Sequence, residues 1–119
     1  MDITSGGGGR DRLAPSLAGL DNNLFGSVDG ATHPEALAQR LVAAGWSARK
    51  AAWDEFEIAN EWCSFLLVPD GGQVSISGVI APERLPDLEA AFNALGLGYG
   101  LEVYSGEHLV REAASRSPE

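Results

Sequence analysis

The stretch WDEFEIANEWCSF, residues 53–65, holds the densest group of side chains in this sequence that could do chemistry. Besides two tryptophans and the only cysteine, it contains four carboxylates: Asp54, Glu55, Glu57 and Glu61. A pair of carboxylates can act as general acid and base when burial raises the pKa of one of them. A cysteine can act as a nucleophile when its surroundings lower the pKa of its thiol. Four interpretations of the stretch are therefore open: an active site, a metal site, a docking surface or an ordinary β-hairpin.

The alternation of residue types favours a hairpin with one face in solvent. Glu55 and Glu57 alternate with apolar residues, so both carboxylates share the face opposite the core, where nothing raises a pKa by burial. The apolar run 62–68, the turn at 69–72 and a further alternating segment extend the pattern to three antiparallel strands. Their predicted core residues are Phe56, Ile58, Cys63, Phe65, Leu67, Val74 and Ile76. Their opposite face is predicted to be a polar platform of Glu55, Glu57, Ser64, Leu66, Gln73, Ser75 and Ser77, with Trp53 and Trp62 at its margins.

The single cysteine is predicted to be a core residue and not a nucleophile. Cys63 lies in an apolar strand, where a thiol behaves as a small hydrophobic group with a raised pKa. The catalytic alternative would use His108 as its base, and distance along the chain does not exclude such a pair. His33 and His108 are the only histidines, and their spacing is not that of metal ligands. No metal or cofactor site is predicted.

Two helices are predicted around these strands. Residues 34–44 carry apolar side chains at helical spacing, and Gly45 follows where a helix C-terminus favours glycine. A second helix opens in the proline-containing segment 81–86, carries an apolar stripe at the same spacing and stops before Gly96.

These elements predict one α+β domain. Residues 99–104 form a fourth strand, and residues 108–114 form either a fifth strand or a last helix. The order α-β-β-β-α-β predicts a single-layer antiparallel sheet of four to five strands with two helices packed on one face. Residues 1–12, with four consecutive glycines, are predicted to be a flexible tail. The domain then spans 13–119, and its first part, 13–30, is a loop-rich arm.

Composition limits the classes of partner. Acidic residues number 17 and basic residues 8, giving a net charge of -9. Such a charge repels nucleic acid and anionic lipid surfaces, and it accelerates association with a basic protein. A single cysteine forms no internal disulfide, and no apolar run is long enough to span a bilayer, so a cytoplasmic protein is expected. Arginine far outnumbers lysine, and alanine and glycine are abundant, which is typical of a high-GC bacterial genome.

These features together predict a non-enzymatic protein-binding domain. The predicted partner-binding residues are Trp53, Glu55, Glu57, Trp62, Ser64, Ser75 and Ser77. Small size, strong negative charge and the lack of a catalytic motif make the chain similar to bacterial immunity proteins, which neutralise a toxin by plugging its basic active site. Acidic secretion chaperones have a similar profile. The resemblance lies in composition and covers no specific residue; it implies a basic toxin or effector as partner.

Two alternatives stay open. The first is a small-molecule-binding or minor enzymatic domain that uses Cys63, His108 or Tyr104. The second is a homodimer in which the second or the last predicted strand pairs across a sheet edge.

Overall fold

A computed structural model describes residues 4–5, 13–29 and 33–115 of the chain. Within these ranges, seven antiparallel strands form one sheet, which a two-residue parallel strand extends at one edge. The strands are β1 (Thr4–Ser5), β2 (Leu24–Asp29), β3 (Ser47–Ala52), β4 (Glu55–Ala59), β5 (Cys63–Asp70), β6 (Gln73–Ile80), β7 (Gly98–Ser105) and β8 (His108–Ser115). The helices are α1 (Pro15–Ala18), α2 (Pro34–Ala43) and α3 (Leu85–Ala94), the last preceded by a 3-10 turn at Pro82–Arg84. Across the sheet the strand order is β1-β3-β4-β5-β6-β2-β7-β8.

The predicted sheet of four to five strands is wrong, because the sequence reading misses β2 and β3. Leu24–Asp29, predicted to be part of a loop-rich arm, is a central strand that pairs antiparallel with both β6 and β7. It has only two large core-facing side chains, Leu24 and Val28, with Gly26 between them. Such a segment is ordered by the two neighbouring strands, which satisfy its backbone hydrogen bonds, and not by a strong pattern of its own.

The second missed strand, β3, has almost no apolar pattern. Its sequence is SARKAA, and Ala48 is its only buried residue. It forms by pairing with β4 near one edge of the sheet. The undecided segment 108–114 is a strand, β8, at the other edge.

Both longer helices pack on the same face of the sheet. The seven predicted core residues are all buried, together with Leu37 and Leu41 of α2 and Leu88 and Phe92 of α3. A run of aromatic contacts crosses this core from Trp46, which precedes β3, to Tyr99 in β7. The ring centroids lie 5.6 Å apart for Trp46–Phe65, 6.1 Å for Phe65–Phe92 and 5.6 Å for Phe92–Tyr99. The Arg40 guanidinium donates to the carbonyl of Leu95 and so joins α2 to the end of α3. The main core therefore lies between these helices and the sheet, and a second, small cluster of buried residues lies on the opposite face.

Two core-facing glycines allow neighbouring strands to approach closely. A Cβ atom on Gly78 would lie 1.9 Å from the carbonyl oxygen of Ser64, and one on Gly26 would lie 2.1 Å from that of Gly100. No side chain fits at such a distance, so glycine is required at both positions.

Most of the predicted tail, residues 1–12, lies outside the described residues. Within it, Thr4 and Ser5 pair in parallel with Arg49 and Lys50 of β3. No helix in the described ranges is long and apolar enough to cross a membrane.

Candidate partner-binding face of the sheet

The sheet face that points away from α2 and α3, called the open face below, carries the predicted platform. Strand register places Glu57 opposite Leu66, and Leu66 opposite Ser77. Alternation along β4, β5 and β6 puts the remaining platform residues on the same face: Glu55, Ser64, Gln73 and Ser75. Their role in binding a partner stays a prediction.

Two predicted site residues, Ser64 and Trp62, are less accessible than the alternation suggests. Ser64 is only 3% exposed, and Val79, directly opposite it on β6, is fully buried. The reason is the segment that contains α1: Leu13, which precedes the helix, and Leu17 within it pack on Val79 and cover this end of the open face.

Trp62 is half-buried at the same end of the sheet. Its ring lies 5.4 Å from that of Trp46 and 5.2 Å from the guanidinium carbon of Arg84. The backbone N–H of Ala14 donates to the carbonyl of Glu61 at 2.9 Å, which fixes the arm beside it. Ser64 and Trp62 therefore belong to the packing beneath and beside the arm, and neither is an exposed anchor.

Trp53 has the opposite environment. It lies in the turn between β3 and β4, is 89% exposed, and has the Lys50 ammonium 5.0 Å from its ring centroid. An indole this exposed contributes little to the core and is available for contact.

The open face is strongly acidic. Six carboxylates of the described strands lie at positions that the strand pairing assigns to the open face: Asp29, Glu55, Glu57, Asp70, Glu102 and Glu112. Among the described strand residues, Arg49 is the only basic side chain in this register, and its guanidinium lies 3.5 Å from Glu57. Asp29, Asp70 and Glu112 are exposed and the other three are half-buried. Carboxylates at a surface stabilise a fold little, so their concentration on one face bears on encounter with other molecules.

Sequence reasoning missed a second group of open-face residues, which lies on β2, β7 and β8. We call it the aromatic–acidic patch; it consists of Phe25, Glu102, Tyr104, Leu109 and Glu112. Glu102 lies directly between Phe25 and Glu112, and Tyr104 lies opposite Leu109. The rings of Phe25 and Tyr104 meet edge to face with centroids 5.9 Å apart.

The patch is partly open to solvent, with Glu102 and Tyr104 half-buried and Glu112 exposed. Phe25 is 39% exposed and Leu109 47% exposed. A shallow pocket of ≈ 410 Å³ lies here, lined by Asn22, Phe25, Glu102, Tyr104, Gly106 and Glu107. The alternation in 99–104 could have placed Glu102 and Tyr104 on this face, but Phe25 could not be placed without recognising β2.

The electrostatic environment of the patch is negative. The pKa of the Tyr104 phenol is raised, first by desolvation and then by the charge of Glu102, a hydrogen bond with Glu102 and the charge of Glu112. Glu102 and Glu112 are a directly opposed cross-strand pair of like charge, an arrangement that destabilises a sheet. A cation placed between these groups would relieve that repulsion.

The structure does not bring Cys63 and His108 together. Cys63 is fully buried on the core face, and desolvation raises the pKa of its thiol far above the ordinary value of 9.0. His108 lies on β8, four strand spacings from β5, which is roughly 19 Å across the sheet. Tyr104 is on the open face and Cys63 is not. Among the described residues, no three His, Cys, Asp or Glu side chains form a group that could hold a metal ion.

Comparison with known proteins adds no assignment. No protein-family model, curated protein or solved structure matches this chain. The case for function therefore depends on the geometry and charge of the face itself.

Proposed function

We propose that this protein is a non-enzymatic binding protein whose open face docks a basic partner protein. One observation carries the proposal: in the described strands, six carboxylates and one guanidinium share a sheet face on which neither α2 nor α3 packs. A negative surface of this kind attracts a positive one and speeds their encounter.

The dimensions of the face suit a protein partner better than a small ligand. Seven strands span six spacings, or about 29 Å, and the largest extents of the described residues are 36 and 33 Å. A standard protein–protein interface covers about 800 Å² on each partner. A sheet of this width is broad enough to contribute to a contact of that kind, whereas the pockets along β2, β7 and β8 are open to solvent.

A bacterial toxin or effector is the partner that we propose. A toxin that cleaves nucleic acid needs a basic active site, and an acidic sheet of this width could cover one. This is the mode of action of immunity proteins, whose composition the chain resembles. A cytoplasmic location belongs to the same proposal, because the only cysteine is free and buried and the fold uses no disulfide.

Edge pairing into a homodimer is a second candidate, which the position of β8 favours. β8 is the last strand of the sheet, and six of its eight residues are exposed. An exposed edge strand offers unpaired backbone groups to another chain. The second predicted strand, which is β5, cannot serve in this way because β4 and β6 flank it. Sedimentation of the purified protein at several concentrations separates a monomer from this dimer.

Carboxylate footprinting tests the proposed function. The protein is mixed with its purified basic partner, exposed carboxylates are coupled to an amine with a carbodiimide, and the modified residues are quantified by mass spectrometry. We expect the partner to protect Glu55, Glu102 and Glu112 on the open face. Glu35 of α2 and Glu83 before α3, both exposed, serve as controls on the helix side. Protection of Glu35 and Glu83 without protection of the open face would overturn the proposal.

A further inference from the structure

We infer that the aromatic–acidic patch is the docking site for an arginine side chain on a basic segment of the partner protein. This inference rests on the proposed function and deepens it, because it names the part of the open face that recognises the partner. The residues concerned lie on β2, β7 and β8, away from the acidic residues of β4.

The apolar part of the patch is an exposed aromatic surface. Exposed large hydrophobic residues in the described ranges are Leu20, Phe25, Trp53, Leu109 and Val110, and three of these lie on β2 and β8. Phe25 and Tyr104 form an edge-to-face pair and therefore present ring surface at a fixed angle. Apolar side chains that gather on one exposed surface and are rimmed by polar residues are consistent with an interaction site.

The polar part of the patch selects a cation. Glu102 and Glu112 are directly opposed across β7 and β8, and Glu102 is also directly opposite Phe25. The nearest base in the sequence, Arg111, is opposite Val103 and so has core-face register. A positive group above the patch would neutralise two carboxylates that repel each other.

Arginine fits this combination better than lysine. Its planar guanidinium stacks on an aromatic face and donates two parallel hydrogen bonds to a carboxylate. Carboxylates and aromatic rings lie side by side on the patch, so one guanidinium can contact both. A lysine ammonium is a strongly hydrated point charge. It does not stack on an aromatic ring as a guanidinium does, and it does not donate two parallel hydrogen bonds to a carboxylate.

A small arginine probe tests the site without the partner. The 15N-labelled protein is titrated with N-acetyl-arginine amide and, separately, with N-acetyl-lysine amide, and backbone amide shifts are followed. We expect saturable shifts at Phe25, Glu102, Tyr104 and Glu112 at millimolar arginine probe, with several-fold weaker binding of the lysine probe. Shifts spread evenly over all acidic residues, or no saturable shift at all, would overturn the inference.

Variants locate the site. Tyr104→Ala and Glu112→Gln should each weaken binding of the arginine probe about fivefold, the factor that one cation–π or charged contact carries. Tyr104→Phe should retain binding, because the ring remains. Glu83→Gln removes the same charge on the helix side and should leave binding unchanged. Equal losses in Glu112→Gln and Glu83→Gln would mean that the probe senses only net charge and would contradict the assignment.

Affinity measurements with the purified partner distinguish a failure of this inference from a failure of the proposed function. If reversing the charges of Glu55 and Glu57 lowers the affinity for the partner, but Tyr104→Ala and Glu112→Gln leave it unchanged, the arginine site is wrong and the open-face proposal stands. If none of these substitutions changes the affinity for the partner, the open-face proposal itself is wrong. Loss of affinity in the patch variants supports both.

Discussion

Ionisable side chains fall into two environments that the sheet separates. On the core face, Cys63 has no water around it, and desolvation raises the pKa of its thiol. On the open face, Glu102 and Glu112 are held opposite each other although their charges repel. The first arrangement suppresses reactivity, because the thiolate is the nucleophile. The second arrangement lowers the stability of the sheet, because like charges lie directly opposite each other.

Cys63 should react slowly in the native protein. We expect a thiol reagent to label it at the rate of unfolding under native conditions and rapidly in denaturant. Cys63→Ala should lower the free energy of unfolding by about 1–2 kcal/mol, since it removes buried apolar volume, and should leave partner binding intact. Because the pKa of the buried thiol is raised, the wild-type protein should lose stability as pH rises above 9.0, the unfolded value. Rapid native labelling would contradict burial and reopen nucleophilic chemistry.

Glu112→Gln should make the fold more stable while weakening the arginine site. Removing one of two opposed carboxylates relieves repulsion worth about 0.5 kcal/mol, which corresponds to a rise of about 2 °C in Tm. Thermal unfolding at low and at high salt measures this, and salt should shrink the difference by screening. A fall in Tm would show that Glu112 stabilises the sheet and that the opposed pair is not a strained feature.

At the scale of elements, the sequence predicts the helices and strands whose apolar residues are strongly periodic. It does not predict the strands that form mainly by pairing with their neighbours. Both long helices and the β4–β5–β6 meander have clear apolar spacing, and the structure confirms them. β2 was missed because Gly26 interrupts its core face and Phe25, an aromatic residue, points to the open face. The β2 member of the aromatic–acidic patch, Phe25, therefore escaped prediction. Ser64 and Trp62 were placed on or beside the correct face, but the cover that α1 provides could not be read from the sequence.

The close approach of β5 and β6 makes a sharp prediction at Gly78. Gly78→Ala places a methyl group 1.9 Å from the Ser64 carbonyl oxygen, so backbone must move. We expect a loss of about 1–3 kcal/mol in the free energy of unfolding, the usual cost of overpacking. Gly100→Ala is the matched control, because a Cβ atom there meets nothing within 4 Å. Chemical denaturation measures both; equal stability of the two variants would refute the close packing of these strands.

At the scale of the whole molecule, charge and architecture act together. The net charge of -9 is a property of the full chain. The fold distributes this charge unevenly, because several carboxylates share the open face and both long helices pack on the opposite face. α1 covers one end of that face and leaves the β2–β7–β8 end exposed. The open face is therefore asymmetric, with an aromatic contact at one side and carboxylates across its width, and such an arrangement would favour one orientation of the basic partner that we propose.

The rate of association with the basic partner tests the central claim most directly. Glu55→Lys with Glu57→Lys reverses two charges on the open face, and Glu35→Lys with Glu83→Lys makes the same change in net charge on the helix side. Stopped-flow association at several salt concentrations, after circular dichroism has shown that both variants fold, compares them. We expect the open-face variant to associate about tenfold more slowly at low salt, with a flatter salt dependence, and the helix-side variant to stay within about twofold of wild type. Equal slowing in both variants, or slowing only in the helix-side variant, would contradict docking through the open face.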